Sequence, residues 1–283
     1  MRCGFAIVQE SGRPATEAMN FQHLGNIMAP PDTTLERNQT ANAYGGNFAR
    51  LYERLFNGWM RTFAPHLCDY LARWVPHDAQ LLDLCCGTGE MSRALLQRGW
   101  RIVGLDRSAA MLAVAQEKNA EAITDRRLFL QQGTAEDFSL AQSFDGCLCI
   151  DGALNHLESV DALLSCFECV SRVLAPGAPF IFDLLESSHF AEWEGIVVAE
   201  GDDYLLVRRG IWDPHRNLAF LKISGGIGGA ALWRVRETLI SRTFTRDCVA
   251  AALDQAGFDS APCTLTDVRP SGRSIFHAVK RAA

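Results

Sequence analysis

Between Leu81 and Leu184, short apolar runs alternate with stretches of helical period, and no other feature of the chain restricts its fold as strongly. The runs Leu81 to Cys85, Arg101 to Asp106, Leu128 to Gln132, Phe144 to Ile150 and Phe180 to Leu184 have strand length. Helical patterns fill the gaps, from Glu90 to Arg98, through Met111 and Ala115, and from Val160 to Leu174. The last of these carries Leu163, Leu164, Phe167, Val170 and Leu174 on one face. A strand that returns through a helix lies parallel to its predecessor, so the pattern predicts a mostly parallel sheet with helices on both faces.

The flanks read differently. Residues 1–35 lack a sustained period and are expected to be an extension. From Asn42 onward, Phe48, Leu51, Leu55, Trp59, Phe63, Leu67 and Leu71 recur at helical spacing, as one broken helix or two successive ones. After the fifth strand the strand–helix rhythm stops. Tyr204 to Trp212, Asn217 to Ser224 and Leu232 to Ile240 read as antiparallel strands, with Asp213-Pro-His-Arg as a hairpin turn and Gly225 to Gly229 as a flexible one. A helix from Arg246 to Ala256, capped by Gly257, and strands at Cys263 to Val268 and Ser274 to Val279 close the chain. The expected division is therefore an extension (1–35), a sheet domain (36–185 and 244–283) and a β-rich cap over the site (186–243).

Chemistry concentrates at the end of the first strand, in Asp83-Leu-Cys-Cys-Gly-Thr-Gly89. Glycines let backbone turn tightly and approach a ligand lying over a helix N-terminus. Asp106 ends the second strand, where a carboxylate can accept both hydroxyls of a ribose. The loop lacks the full G-x-G-x-x-G of dinucleotide sites, and no Tyr-x-x-x-Lys pair is evident, which argues against a nicotinamide oxidoreductase.

Composition narrows the partners. A formal net charge of -6 with no Lys/Arg run suits a small-molecule substrate, not nucleic acid. No apolar stretch spans a bilayer, and the opening residues break their apolar run with Gln, Glu and Pro, so neither membrane nor leader is expected. The chain has ten cysteines, several in apolar runs, which fits a reducing cytoplasm and free thiols. Cys166-Phe-Glu-Cys169 lies in a helical pattern without a second ligand pair, so no metal is expected. The sequence carries no oligomer signal, and a homodimer stays open.

The motifs resemble those of class I S-adenosylmethionine-dependent methyltransferases. DLCCGTG is similar to their D-x-G-x-G-x-G loop, with Cys85 at the first glycine, and GLDRSAAML, QGTAEDF, FDGCLCIDGALNHL and VLAPGAPFIFDL follow in the family's order. The resemblance implies a Rossmann-like seven-stranded α/β sheet and S-adenosylmethionine as cofactor. It implies that Asp83, Cys85, Gly87 and Gly89 hold the methionine part and Asp106 the ribose. It also implies that Arg107 and Met111 flank the adenine, with Ala135 and Glu136 at its edge. Thr134 stands where the family often has Asp. Residues beyond the fourth strand, Asp151 to His156, face the transferring methyl in this family.

Arg-Pro-Ser-Gly-Arg273-Ser-Ile-Phe is similar to the ending of bacterial nucleotide-amino-sugar N-methyltransferases, as is Tyr52 in Ala49-Arg-Leu-Tyr52. That likeness implies catalytic roles for His156 and Arg273 and places Tyr52 beside the cofactor. Asp151, just beyond the fourth strand, is expected beside the cofactor as well, and Tyr44, just after the extension, is expected to cover the site like a lid. The expected reaction is methyl transfer to nitrogen of a small molecule. Transfer to oxygen is the alternative, and a non-catalytic cofactor-binding protein a more distant one.

Overall fold

The computed structural model describes residues 44–228, 233–261, 263, 265 and 272–282. The extension expected at 1–35 lies outside them.

Two helices open the described chain, α1 (Gly46–Leu55) and α2 (Gly58–Leu71). The alternating region then gives β1 (Gln80–Leu84), α3 (Glu90–Gln97), β2 (Arg101–Asp106), α4 (Ala109–Lys118), α5 (Ala120–Thr124), β3 (Leu128–Gln132) and β4 (Gly146–Cys149). A 3₁₀ turn (Ala153–His156), α6 (Val160–Val173) and β5 (Pro179–Leu185) follow. Next come α7 (Ser187–Ala191), β6 (Gly195–Gly201), β7 (Tyr204–Asp213), β8 (Leu218–Ile227) and β9 (Trp233–Arg242). The chain closes through α8 (Arg246–Gln255), β10 (Phe258–Ala261) and β11 (Arg273–Lys280).

Seven strands form one sheet in the order β10-β11-β5-β4-β1-β2-β3, and β6-β7-β8-β9 form a second. In the first, β3, β2, β1, β4 and β5 are parallel, β11 runs antiparallel to β5, and β10, antiparallel to β11, runs with the parallel strands. The order reverses between β1 and β4. In open parallel sheets that reversal opens a crevice at the carboxyl ends of the strands, where ligands bind.

Strand alternation sorts the core. Phe180 and Phe182 of β5 point to one face and pack with Phe167 of α6 and with Val249 and Leu253 of α8. Ile181, between them, points to the other face and joins Phe63, Leu67, Leu71 and Leu95 under α2 and α3. Both faces are thus covered, as the near-continuous apolar runs require.

The second sheet packs through Leu206, Leu221, Ile223, Val235 and Leu239 against Phe48 and Leu51 of α1 and Met111 of α4. Its first hairpin is built as its turn residues dictate: Asp213 Oδ1 accepts the N–H groups of His215 at 3.0 Å and Arg216 at 3.2 Å.

Three expectations need correction. The penultimate strand is Phe258–Ala261, not 263–268. It begins directly after Gly257, because Phe258 is drawn into the core against Phe180 (centroids 5.8 Å). Cys263 and Leu265 lie outside any strand, and the other residues of that run are not among those described. The antiparallel sheet has a further strand, β6. Gly225 and Gly226 lie within β8, not in a turn. A Cβ on Gly225 would stand 1.9 Å from the Leu205 carbonyl oxygen, so this glycine serves close strand approach.

Candidate active site

The carboxyl ends of β1, β2 and β4 open into a cavity of about 380 Å³, the size of small-molecule sites. Its wall begins with Asp83, buried at 2% exposure as the last residue but one of β1. Ser92 of α3 donates its hydroxyl to this carboxylate. Burial, with no cation acting on it, raises its pKa to about 7.

After Leu84 the chain alternates left-handed residues, with φ of 58° at Cys85, 53° at Gly87 and 73° at Gly89. Cys85, Gly87 and Thr88 line the cavity; Gly89 does not. Gly89 is the N-cap of α3, and a Cβ there would stand 2.8 Å from Asn119 Nδ2 and 3.0 Å from Ala115 Cβ. It lets α3 seat against α4, and its expected ligand contact is corrected to a packing role.

Asp106 ends β2 with both oxygens engaged from behind. Oδ2 accepts the Gly87 N–H and Oδ1 the Ser108 N–H, each at 2.8 Å. Each oxygen keeps a lone pair, as bidentate recognition of a diol needs. Ser108 caps α4, accepting the Met111 N–H at 3.1 Å, and donates its hydroxyl to the Tyr44 carbonyl at 2.9 Å. Arg107, Met111, Ala135 and Glu136 complete the β2 and β3 side of the lining.

The β4 side carries Tyr44, Tyr52, Asp151 and His156. Tyr52 donates its hydroxyl to Asp151. His156 Nδ1 lies 2.7 Å from the Ile240 carbonyl oxygen, which can only accept, so Nδ1 carries the proton. Nε2 is then the acceptor for the Tyr44 hydroxyl at 2.9 Å. Burial lowers the His156 pKa to about 4 and raises that of Tyr44, so both are neutral at pH 7. Tyr44 is further held by Glu237 of β9, whose carboxylate accepts the N–H groups of Tyr44 at 3.3 Å and Gly45 at 3.2 Å.

Arg273 does not line the cavity. It is 5% exposed, donates to Asp183 and Asp151, and lies 3.9 Å from the Trp59 ring centroid. The expectation that it faces an acceptor is corrected: two carboxylates and an aromatic face hold it behind Asp151. No side chain of β6 to β9 lines the cavity either. That sheet reaches the site from behind, through Ile240 O and Glu237.

Several lining residues escape the sequence reading, among them Asn57, Met60 and Thr88. Asn57 Nδ2 donates to Thr88 Oγ1 at 3.0 Å and to Glu53 at 2.7 Å, tying α1 and α2 to the loop. Asn57 stands at the N-cap of α2 before Gly58, which marks a helix start but not a cavity contact. Ser108, directly before an Ala-rich helical run, carries an N-cap signal as well.

Among the described residues, six carboxylates (Asp83, Glu90, Asp106, Glu136, Asp151 and Glu158) and one arginine (Arg107) line the cavity. A ligand carrying a positive charge and a diol suits them. Among the described residues no cation pairs with Asp83, and Asp106 has lone pairs to offer, so the residues present fit S-adenosylmethionine, whose methionine and ribose ends bring those groups. Among the described residues no cluster suits a metal ion, and no helix is long and apolar enough to cross a membrane.

Comparison with known proteins agrees. A family described as methyltransferase domain matches residues 81–177. The putative methyltransferase YqeM of Bacillus subtilis (strain 168) is 30% identical over 239 residues, 80% of this chain and 92% of its own length. The dTDP-3-amino-3,6-dideoxy-alpha-D-glucopyranose N,N-dimethyltransferase of Streptomyces fradiae is 34% identical over 140 residues, 47% of this chain and 52% of its own. Among solved structures, the sugar N-methyltransferase KedS8 from Streptoalloteichus sp ATCC 53650 superposes with a TM-score of 0.70 at 22% identity, over 96% of this chain and all of its own. This chain belongs to the class I S-adenosylmethionine-dependent methyltransferases. It is an enzyme that uses that cofactor.

Proposed function

We propose that the protein methylates the nitrogen of a small-molecule amine, of amino-sugar type. The observation that carries this reading is His156. Both ring nitrogens are engaged, the ring is neutral, and it is buried behind Tyr44. Such a histidine is a poor general base and a good support. It fixes the Tyr44 hydroxyl by taking its proton in a hydrogen bond, which leaves the phenol oxygen free to accept an N–H from an acceptor. A neutral amine attacks with its own lone pair and needs orientation, whereas a hydroxyl needs its proton removed as it attacks. The acid-rich cavity favours an amine as well: an acceptor arriving as its ammonium is attracted there, and passes its proton to a lining carboxylate or to water before its lone pair attacks. The named activities of the Streptomyces fradiae and Streptoalloteichus proteins lean the same way.

The chain's own residues divide the remaining work. Asp83 would neutralise the cofactor's ammonium, Asp106 would hold the ribose diol, and Arg107, Met111, Ala135 and Glu136 would form the adenine end. Tyr44 and Tyr52 would close the reacting end and exclude water. When bound, S-adenosylmethionine supplies a methyl group already activated on a sulfonium. The test is kinetic. On an amine acceptor, His156→Ala should lower kcat modestly, through a less well-oriented Tyr44. A loss of about 10²–10⁴-fold, the loss expected where a hydroxyl acceptor must be deprotonated, would mean that His156 acts as a general base and would overturn this reading.

A further inference from the structure

The glycine loop holds a thiol pair to which the reading above gives no task. Cys85 and Cys86 both line the cavity, but their side chains leave the loop in different directions. A Cβ on Gly104 of β2 would stand 2.9 Å from Cys86 Sγ, so Cys86 is packed towards β2. Cys85 packs instead against the core cluster under α6, which contains Cys147, Cys149 and Cys166. Strand register brings one of these alongside. β1 and β4 pair in parallel as far as Asp83 and Leu148, so Cys149, the next residue of β4, stands level with Leu84, and Cys85 follows Leu84 directly. The Cys85 and Cys149 side chains are within hydrogen-bond reach of each other.

The two thiols differ in access. Cys149 is fully buried, as are Cys147 and Cys166, whereas Cys85 is half-buried and opens on the cavity. The backbone also holds Cys85 against its preference. Its φ of 58° is a left-handed conformation that glycine adopts freely and a residue with a Cβ does not. Gly87 and Gly89 take the same conformation in this loop without that penalty. A side chain kept at such a position, open to the cavity on one side and touching a second thiol on the other, is the arrangement of an oxidisable cysteine and its resolving partner.

We propose that Cys85 and Cys149 are a peroxide-sensitive pair, in which oxidation of Cys85 from the cavity leads to a disulfide that closes the glycine loop to the cofactor. Hydrogen peroxide is reduced by two electrons and the two thiols are oxidised. The Cys85 sulfur attacks the peroxide and takes one oxygen, which gives a sulfenic acid and one water. The Cys149 sulfur then attacks the Cys85 sulfur, and the displaced hydroxyl takes the Cys149 proton and leaves as a second water. Burial pushes the Cys149 thiol up, which keeps it from reacting with an oxidant by itself, while contact with Cys85 makes the second step intramolecular.

The effect on the cofactor follows from what the loop is tied to. The bond draws Cys85 towards β4, whereas the next two residues are fixed to β2. The Cys86 N–H donates to the Leu105 carbonyl at 3.0 Å and the Gly87 N–H to Asp106 at 2.8 Å. The disulfide pulls against both bonds, and so against the carboxylate assigned to the ribose. A cofactor already in place covers Cys85 and protects it. These two effects rest on the cofactor reading above; the oxidation itself does not.

The test uses the full chain, reduced, freed of reductant and exposed to hydrogen peroxide with and without S-adenosylhomocysteine at about ten times its Kd. Remaining thiols are blocked with N-ethylmaleimide, and the linked peptides are fragmented in a mass spectrometer to place the bond. A Cys85–Cys149 bond is expected, reversible by dithiothreitol. It should form about tenfold more slowly with ligand present, because mass action leaves roughly a tenth of the sites open. In calorimetry the oxidised protein should bind S-adenosylhomocysteine about tenfold or more weakly, the loss expected when one hydrogen bond to a charged group is broken, and reduction should restore the affinity. Cys149→Ala should leave Cys85 as a sulfenic acid that dimedone traps; if that variant does not fold, the wild-type mapping decides. No bond, or one through Cys86, Cys147 or Cys166 instead, overturns the proposal. So does a Cys85–Cys149 bond that leaves the affinity unchanged or that bound ligand does not slow. Failure of the reduced wild type to bind S-adenosylhomocysteine would instead overturn the cofactor reading and leave the mapped bond standing.

Discussion

Replacing Asp106 with alanine should remove the ribose anchor. The two carboxylate oxygens stand 2.8 Å from the Gly87 and Ser108 N–H groups, so the side chain is held before any ligand arrives and its free lone pairs face the cavity. A hydrogen bond to a charged group contributes roughly 1.5–3 kcal/mol, so two to a diol set an upper limit of about 3–6 kcal/mol. Water can take the vacated space and recover part of this, which leaves a loss of about 2–4 kcal/mol, or roughly 30- to 1,000-fold in affinity. Asp106→Asn, which keeps one acceptor oxygen, should fall between the alanine variant and the wild type. Isothermal titration with S-adenosylhomocysteine reads the effect directly, with circular dichroism to confirm that the loop change has not unfolded the chain. An alanine variant with unchanged affinity would refute the assignment of Asp106 and of the ligand's orientation along the sheet.

Two further outcomes follow from the buried titrating groups. The Asp83 pKa is raised from 3.8 to about 7, so its charged form is disfavoured in the free protein. Cofactor affinity should rise as pH increases through 7, where Asp83 ionises and can pair with an ammonium, and Asp83→Asn should flatten that rise in a calorimetric pH series. The His156 pKa is lowered from 6.5 to about 4, so its contribution to stability is fully present above pH 6.5 and is lost as pH falls towards 4. The shift corresponds to about 3 kcal/mol, and a urea-unfolding series from pH 7 to pH 4 should show His156→Gln losing less stability than the wild type.

Periodicity made the sheet legible, because each parallel strand is buried on both faces and its run of apolar residues is written locally. Phe180-Ile181-Phe182 announces a core strand without knowledge of its neighbours. The glycine loop and Asp106 were readable for a similar reason, since turn and ligand contact both act within a few residues. What stayed hidden was decided by tertiary partners. Arg273 reads as a loop arginine aimed at a substrate until Asp183 and Trp59, distant in sequence, take it inward. Gly89 reads as a ligand contact until Asn119 occupies the space above it. The strand at Phe258 was masked by a more regular-looking alternation a few residues later, because the pull of the Phe180 cluster on Phe258 has no local signature. Tyr44 was visible as a lid candidate, but its support by Glu237 and His156 depends on how the second sheet docks.

The measurement that bears most directly on the central claim is transfer of a labelled methyl group. The purified protein is incubated with methyl-labelled S-adenosylmethionine and a panel of primary and secondary amines, phenols, alcohols and carboxylic acids, and the products are resolved by mass spectrometry. The account predicts label on the nitrogen of an amine, lost in Asp106→Ala. Label appearing only on oxygen acceptors would contradict the amine assignment.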